Sequence, residues 1–381
     1  MRRIWKRNYR TLMVGMVAAL CLVALVSERP LAQVESESRI SNEKILDQTQ
    51  KPVPSPSPRH RDEVPQDTDE IVRVETNLTN IFFTAADHSK RFINTLKQTD
   101  IRVLEDGQPQ DIFTFQQNTD LPLSTAILID TSASEERTLP DEKAAARSFL
   151  EAVIRPGKDE AAVVSFTGEV TLEQGFTGSI DRLRRAIDRV EFVPPSGYIG
   201  GGVVVGGTPP ISSTNQSLAG STAIWDAIFV TSNELLAESA ESARRAIILL
   251  SDGEDTISKV KIQEAIEQAL KADALVYSIG IGDSYNFGVN EGALRKIAEQ
   301  TGGRAYFPRS ERELREAFAQ IQSDLREQYL VAYSPSNKAR DGSYRRIAIE
   351  FTNPDLRRQL KLNYRPGYFA KVGPPAAPTK K

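Results

Sequence analysis

The stretch Ser124-Thr-Ala-Ile-Leu-Ile-Asp130-Thr-Ser132-Ala-Ser134 joins an apolar run to a polar turn. A second run, Ala246-Ile-Ile-Leu-Leu250, ends in the same way, in Ser251-Asp252-Gly253. Strands that are apolar along their whole length are typical of a sheet covered on both faces. In such sheets, ligands bind beyond the carboxyl ends of the strands. The two runs therefore predict a buried sheet that carries polar side chains at one edge.

Segments with helical spacing separate the predicted strands throughout residues 123–328. The predicted helices lie at residues 141–154, 180–190, 223–236, 261–270, 293–300 and 310–326, and the further strands at 160–166, 275–281 and 304–307. This alternation predicts an α/β fold, a doubly wound and mostly parallel sheet with helices on both faces. Trp225 and Phe229 lie four residues apart on one helix, and we interpret them as core residues and not as a recognition surface.

Segments that are predicted to form β-strands precede and follow this domain in the sequence. Residues 70–118 are predicted to form a small β module, with a strand at 71–76 and a hairpin in which 101–105 and 112–115 flank the turn Asp106-Gly107. Residues 329–370 form a predicted C-terminal β segment. Its strands are expected at 329–333, 346–351 and 360–364. We hypothesise that the two flanking segments pack together as one module.

The N-terminus has the pattern of an export signal. Residues 1–10 carry five Arg and Lys side chains, and residues 12–26 carry no charge. Such an apolar run is short for a spanning helix but suits a signal peptide. We expect residues 1–27 to be a signal peptide, with an uncleaved membrane anchor or a buried helix as the alternatives. Either of the first two readings makes the chain periplasmic, envelope-bound or extracellular.

Two further segments are predicted to lack a fold. Residues 28–69 include Lys51-Pro-Val-Pro-Ser-Pro-Ser-Pro58 and are predicted to be a disordered linker. Residues 371–381 are predicted to be a disordered tail. The linker would space the folded part of the chain from a membrane or from the signal.

Rare residues exclude several kinds of chemistry. His60 and His88 are the only histidines and Cys21 is the only cysteine, and all three precede the predicted α/β domain. A histidine general base, a cysteine nucleophile and a zinc site of Cys and His are therefore nearly excluded from that domain. The net charge of -3 gives no indication of nucleic-acid binding.

The candidate site consists of hard oxygen donors in three predicted loops. Asp130, Ser132 and Ser134 follow one strand, Asp252 follows another, and Thr222 precedes a helix. Such donors suit Mg²⁺, with Mn²⁺ and Ca²⁺ as alternatives. Few carboxylates in direct contact would leave the ion electropositive, so that it could attract an acidic side chain from a partner. The competing interpretation is that these residues only form turns and helix caps.

These five residues, in this order, resemble the metal-ion-dependent adhesion site (MIDAS) of von Willebrand factor type A (VWA) domains and integrin I domains. The resemblance covers about residues 123–326. It implies that the two serines and the threonine contact the ion, while the two aspartates support it, often through water. The flanks, including Glu105-Asp-Gly-Gln-Pro109 and Tyr329-Leu-Val-Ala-Tyr-Ser334, are similar to a bacterial exported VWA-related family.

The leading functional hypothesis is a binding module without enzymatic activity. A protein partner would complete the metal shell with Asp or Glu, and membrane contact would involve only an uncleaved N-terminal segment. The alternatives are a metal-dependent hydrolase, a structural scaffold with a vestigial site, and a VWA subunit that works with a cytoplasmic ATPase. The hydrolase lacks a histidine base, and the ATPase subunit conflicts with the export signal.

A glycine-rich insertion and three acidic residues near the predicted site each allow two interpretations. The glycine-rich insertion at 196–219 would overhang the metal face, either as a partner-contacting or gating loop or as a mobile surface loop. It lacks the Gly-Lys-Ser/Thr ending of a P-loop. Glu254 and Asp255 could form a paired-carboxylate hydrolase site, but we interpret them as a solvated loop that supports Asp252. Asp283 is interpreted as a turn residue, with a place on the metal face as the alternative.

Overall fold

The computed structural model describes residues 78–117, 120–192, 199–200, 203–204, 221–240, 242–282 and 288–373. The expectations for residues 1–69, for the strand at 71–76 and for Asp283 lie outside these residues, as do those for most of 196–219 and of the tail. Among the described residues, no helix combines the length and the apolar character needed to cross a membrane.

The strands, in chain order, are β1 (Thr79–Asp87), β2 (Ile101–Glu105), β3 (Gln108–Gln110), β4 (Ile112–Gln117), β5 (Leu123–Asp130), β6 (Glu160–Phe166), β7 (Val170–Thr177), β8 (Ile199–Gly200), β9 (Val203–Val204), β10 (Arg244–Ser251), β11 (Ala274–Gly280), β12 (Ala305–Tyr306), β13 (Tyr329–Tyr333), β14 (Tyr344–Phe351), β15 (Leu360–Tyr364) and β16 (Gly367–Phe369). The helices are α1 (Leu139–Val153), α2 (Ile180–Arg189), α3 (Ile224–Val230), α4 (Ile262–Lys271), α5 (Glu291–Thr301), α6 (Glu311–Arg326) and α7 (Pro354–Gln359).

A six-stranded sheet forms the centre of the α/β domain, in the order β12-β11-β10-β5-β6-β7. Every pairing in it is parallel except that of β7, which runs antiparallel to β6. The predicted fold class, a mostly parallel sheet between helices, is therefore confirmed. The edge strand β7 was not predicted.

Each central strand contributes side chains to two separate apolar layers. Ile127 and Ile129 of β5 pack in a layer with residues of α1, α2 and α6. Ala126 and Leu128 pack in the opposite layer with residues of α3, α4 and α5. Because both faces of β5 are covered, the consecutive residues Ala126 to Ile129 can all be apolar. Trp225 of α3 is buried in the second layer.

The strands that precede and follow the α/β domain in the sequence form two four-stranded sheets. One sheet has the order β15-β1-β13-β4 and the other has the order β16-β14-β2-β3. Apolar side chains of both sheets fill the space between them, with Phe83 stacked on Tyr329 at 4.9 Å between ring centroids. Both sheets combine strands from before and after the α/β domain, so the flanking segments make one β module.

The turn Asp106-Gly107 forms a hairpin, but a different one from that predicted. Asp106 has a φ of 48° and Gly107 a φ of 82°, as two-residue hairpin turns of this hand require. The turn joins β2 to the short strand β3, whereas β4 crosses to the other sheet and pairs with β13. The predicted pairing of 101–105 with 112–115 is therefore wrong. Strand β3 was overlooked because its residues are polar and show no alternation of apolar and polar side chains.

A buried ion pair stabilises the β module. Glu105 of β2 lies 3.2 Å from Arg345 of β14, and both side chains are 3% exposed. The other carboxyl oxygen of Glu105 accepts hydrogen bonds from the hydroxyls of Tyr333 at 2.7 Å and Tyr368 at 2.9 Å. An exposed pair, Arg102–Glu350, joins the same two strands.

We expect Glu105→Gln to lower the free energy of unfolding by about 3 kcal/mol, because it leaves the guanidinium of Arg345 buried without its counter-charge. Glu350→Gln is the matched control, and it should cost less than about 1 kcal/mol, since exposed pairs contribute little. Urea unfolding followed by circular dichroism measures both variants. Equal losses would show that burial of the pair does not matter.

Candidate metal centre

The predicted site residues lie where β5 and β10 end. These strands are neighbours in the sheet, and Ile129 pairs with Leu250, so that Asp130 and Ser251 reach the same edge. The hydroxyl of Ser251 donates to Asp130 Oδ2 at 2.7 Å, and Asp130 is fully buried. The parallel pairing therefore places the carboxylate of Asp130, at the end of β5, beside the loop that follows β10.

The turn after Asp130 folds back on its carboxylate. Ser132 donates its backbone N–H to Asp130 Oδ1 at 2.9 Å, and its hydroxyl lies 3.1 Å from that of Ser134. Thr131 ties the turn to the sheet, because its N–H donates to the last residue of β6 at 2.9 Å. Two hydroxyls are thus held beside the buried carboxylate.

The second aspartate, Asp252, sits in a tight loop after β10. Its Oδ1 accepts the Glu254 N–H at 2.9 Å, and its side chain is hydrogen-bonded to the hydroxyl of Ser134. Gly253 has a φ of +83°, and a Cβ there would lie 2.8 Å from Leu294 Cγ, so that glycine fits best. The loop therefore connects the two strand ends through Asp252 and Ser134.

Thr222 reaches the same edge through a third loop. Its carbonyl accepts the Thr256 N–H at 2.9 Å, and its own N–H donates to Thr256 Oγ1 at 2.8 Å. Asp255 caps α3 by accepting the Ile224 N–H at 2.8 Å. Side-chain hydrogen bonds join four of the predicted residues, namely Asp130, Ser132, Ser134 and Asp252. Backbone bonds attach Thr222 to the loop that carries Asp252.

Two glutamates that the sequence analysis missed join these aspartates. Glu135 has a carboxyl oxygen within 4.8 Å of carboxyl oxygens of both Asp130 and Asp252. Glu142 in the first turn of α1 is also fully buried. Its position could have been found, since it lies seven residues before Phe149 on the apolar face of α1. Glu135 gave no such signal, because acids in turns are usually exposed.

Burial raises the pKa values of this cluster. Desolvation raises the pKa of Asp130 to about 7, although hydrogen bonds from two serines favour its charged form. Desolvation also raises the pKa values of Asp252, Glu135 and Glu142. In the part of the chain that the structure covers, none of these four carboxyls forms an ion pair with Lys or Arg. Their joint ionisation at neutral pH therefore requires a cation from outside.

In EDTA, we expect the free energy of unfolding to fall as the pH rises from about 4 to about 7. Folded Asp130 keeps its proton up to a pKa of about 7, whereas the unfolded carboxyl loses it near 3.8. The bound proton therefore contributes its full stability below pH 3.8, the pKa of the unfolded state, and this contribution is lost as the pH rises through about 7, the pKa of the folded state. The loss is on the order of a few kcal/mol of the free energy of unfolding.

Urea unfolding at a series of pH values in EDTA measures this dependence. Asp130→Asn is the control, because it removes the titrating group and leaves the other acids of the chain in place. The difference in free energy between the two proteins should grow with pH in favour of the variant. A constant difference would contradict the raised pKa of Asp130.

The donor set suits a hard divalent cation. The predicted ligands offer only carboxylate and hydroxyl oxygens. Two oxygens on opposite sides of Ca²⁺ lie about 5 Å apart and those of Mg²⁺ about 4 Å, and the carboxyl oxygens lie within 4.8 Å of one another. One buried oxygen, Glu135 Oε1, has no hydrogen-bond partner among the described residues. A cation at this point would satisfy it.

Two family models match the chain, and both are described as the von Willebrand factor type A domain. One covers residues 125–254 and the other covers residues 210–320. The two matches overlap and together take in β5, α3 and β10, which carry the site. No curated protein matches the chain.

Several solved structures are similar to this chain at low identity. The conserved hypothetical protein BatB from Bacteroides thetaiotaomicron is 17% identical, with a TM-score of 0.39, over 53% of this chain and 98% of that one. Proximal thread matrix protein 1 from the mussel byssus, with a zinc-occupied MIDAS motif, is 16% identical, with a TM-score of 0.41, over 55% of this chain. This chain spans about half of that protein, 49% of its length. Likeness at this level carries no information about ligand or activity.

Proposed function

This chain belongs to the von Willebrand factor type A domain family, and we propose that it binds a divalent cation and, through it, a protein partner. The proposed metal-binding residues are Asp130, Ser132, Ser134, Thr222 and Asp252. Mg²⁺ is the expected ion, with Mn²⁺ and Ca²⁺ as alternatives. The observation that carries the proposal is the meeting of two buried aspartates with two serine hydroxyls at the ends of β5 and β10.

The energetics of burial support a cation at this place. Asp130 is 0% exposed and Asp252 is 2% exposed, so water cannot solvate either carboxylate well. A carboxylate buried without a counter-charge costs several kcal/mol. A divalent ion supplies that charge and binds only the folded state, so it would stabilise the chain by linkage.

The mixture of ligands supports an acidic partner. The two aspartates carry no more negative charge than the ion carries positive charge, and the hydroxyls of Ser132, Ser134 and Thr222 would add oxygen atoms without adding charge, so the ion could still accept a further carboxylate. Hard cations prefer oxygen ligands and bind readily to carboxylates. We propose that Asp or Glu of a partner protein completes the metal shell.

Burial also favours binding over catalysis. Asp130 has a pKa of about 7, which suits a general base, but its side chain is fully buried. A general base must come within hydrogen-bond reach of the proton that it removes from the substrate. We therefore propose a binding module without enzymatic activity, in preference to the hydrolase.

We propose that the chain works in the cell envelope or outside the cell. The support is the N-terminal sequence, in which a basic segment precedes an uncharged run at residues 12–26. The segment after it would tether the domain or space it from the membrane.

Selection of peptides from a random library tests the proposal. The full chain, purified in a mild detergent, is immobilised and the library is applied in Mg²⁺. We expect the retained peptides to share an Asp or Glu, to elute with EDTA, and to lose binding when that residue becomes Asn or Gln. Asp130→Asn protein should retain none of them.

Glu299→Gln is the control variant, because Glu299 is exposed on α5 and lies outside the loops that carry the predicted metal ligands. It should retain the same peptides as the unchanged chain. Peptides that bind equally well in EDTA, or that bind the Asp130→Asn protein, would refute the metal-dependent mechanism.

A further inference from the structure

A third carboxylate, outside the five-residue motif, points into the metal centre. Glu135 ends the 3₁₀ turn Ala133–Glu135, which directly follows the motif. Its side chain is 0% exposed. One of its carboxyl oxygens lies within 4.8 Å of carboxyl oxygens of both Asp130 and Asp252. This carboxylate is therefore close enough to share one ion with them.

Local hydrogen bonds hold Glu135 in this inward position. Its N–H donates to the Ser132 carbonyl at 3.0 Å, and its carbonyl accepts the Thr138 N–H at 3.1 Å. The hydroxyl of Thr138 donates to Glu135 Oε2 at 2.5 Å. The other oxygen, Oε1, is buried and has no hydrogen-bond partner within the described ranges. An acceptor oxygen left in this way is costly unless a cation binds it.

Glu142 belongs to α1 and not to the turn, and its carboxyl lies beside that of Glu135. It is fully buried, and side-chain hydrogen bonds with Thr138 and Glu135 affect its pKa, although neither of its oxygens has a well-aligned donor among the residues that the structure covers. Its electrostatic interactions reach Asp130 and Asp252. An apolar residue at this place in the core would avoid the cost of burial. Two neighbouring buried acids are favourable only when they share a proton or when a cation lies nearby, and the ion at Asp130 and Asp252 would supply that charge.

We propose that Glu135 is a sixth metal-binding residue, a direct carboxylate ligand of the ion held by Asp130 and Asp252. Glu142 is a positioning residue that adds negative charge behind Glu135. This inference rests on the proposed function, because it concerns the same ion. It changes the charge of the centre, since three carboxylates exceed the two positive charges of the ion.

The extra carboxylate has a consequence for partner binding. With Glu135 on the ion, the chain itself fills a position that an acidic partner would otherwise take. A partner's Asp or Glu must then displace Glu135 before it can reach the ion. Binding of the metal is strengthened, and binding of the partner is restrained, by the same side chain.

Titration calorimetry of Mn²⁺ into the full chain, freed of metal and kept in a mild detergent, tests this inference. Glu135→Gln keeps the shape of the side chain, and Glu135→Ala removes the ligand altogether. We expect both variants to weaken Mn²⁺ binding at least tenfold. Glu299→Gln, at an exposed position of α5, should leave it unchanged, and Asp130→Asn should abolish it.

Water proton relaxation by bound Mn²⁺ gives a second readout, which a merely structural role would not change. Glu135→Ala should open a position on the ion to water, so the relaxation rate per bound Mn²⁺ should rise in this variant. Circular dichroism checks that each variant is folded.

The outcomes separate this inference from the proposed function. If the Glu135 variants bind Mn²⁺ with unchanged affinity and relaxation while Asp130→Asn does not bind, Glu135 is not a ligand and the proposed site stands without it. If the unchanged chain fails to bind Mn²⁺, both proposals are overturned.

Discussion

Asp130→Asn is expected to abolish the stabilisation of the chain by Mg²⁺ and, in EDTA, to make the folded state more stable. The variant keeps the shape of the side chain but removes a carboxylate that is fully buried beside Asp252. Without metal, the negative charge of Asp130 lowers the free energy of unfolding of the unchanged chain. After allowance for the serine hydrogen bonds that asparagine would weaken, the variant should be more stable by about 1–2 kcal/mol. With metal, the carboxylate of Asp130 is a ligand.

Thermal unfolding in EDTA and in excess Mg²⁺ measures both effects. At a concentration about a hundred times its Kd, an ion that binds only the folded state stabilises it by about 3 kcal/mol. The unchanged chain and the Glu299→Gln control should gain this stability, and Asp130→Asn should gain none. An equal gain in the variant would place the ion elsewhere.

Gly303→Ala is expected to destabilise the chain by about 4 kcal/mol, since overpacking against buried backbone has no easy relief. A Cβ at this position would lie 1.9 Å from the carbonyl oxygen of Val276 and 2.6 Å from its carbonyl carbon. Val276 belongs to β11, which pairs with β10 in the middle of the sheet. Either this strand or the backbone at Gly303 would have to move.

Gly175→Ala is the matched control, because a Cβ there meets nothing within 4 Å. Urea unfolding should give a midpoint near that of the unchanged chain for Gly175→Ala and a much lower midpoint for Gly303→Ala. Similar midpoints would mean that the chain between α5 and β12 can shift away from Val276 at little cost.

Much of the α/β domain could be predicted, because its strands and helices have strong periodic signals. Strands β5 and β10 are neighbours and parallel in the sheet, and they correspond to the two apolar runs that end at Asp130 and near Asp252. Strand β7 was missed, because it lies at the edge of the sheet and contains the polar and flexible residues Glu173, Gln174 and Gly175. Polar edge strands do not show the apolar run of a central strand.

The pairing of the flanking strands was harder to predict than their existence. The turn Asp106-Gly107 was recognised, but its second strand is only Gln108–Gln110 and carries one buried side chain. The partner of β4 comes from more than two hundred residues later, at Tyr329–Tyr333. A local turn signal contains no information about such a distant partner.

The site itself was predicted incompletely, for a physical reason. Asp130 and Asp252 follow apolar strands, so their approach to one edge could be inferred from the topology. Glu135 and Glu142 are buried acids, and a sequence alone gives acids a strong expectation of exposure. Only the three-dimensional structure brings these four carboxyls together.

Equilibrium dialysis of the metal-free full chain against Mn²⁺ tests the central claim most directly, because it counts bound ions without relying on stability. We expect the unchanged chain to retain a single Mn²⁺ that EDTA removes, and the variants Asp130→Asn and Asp252→Asn to retain none. If the unchanged chain retains no ion, or if the two variants retain as much as it does, the buried aspartates at the ends of β5 and β10 do not form a metal centre.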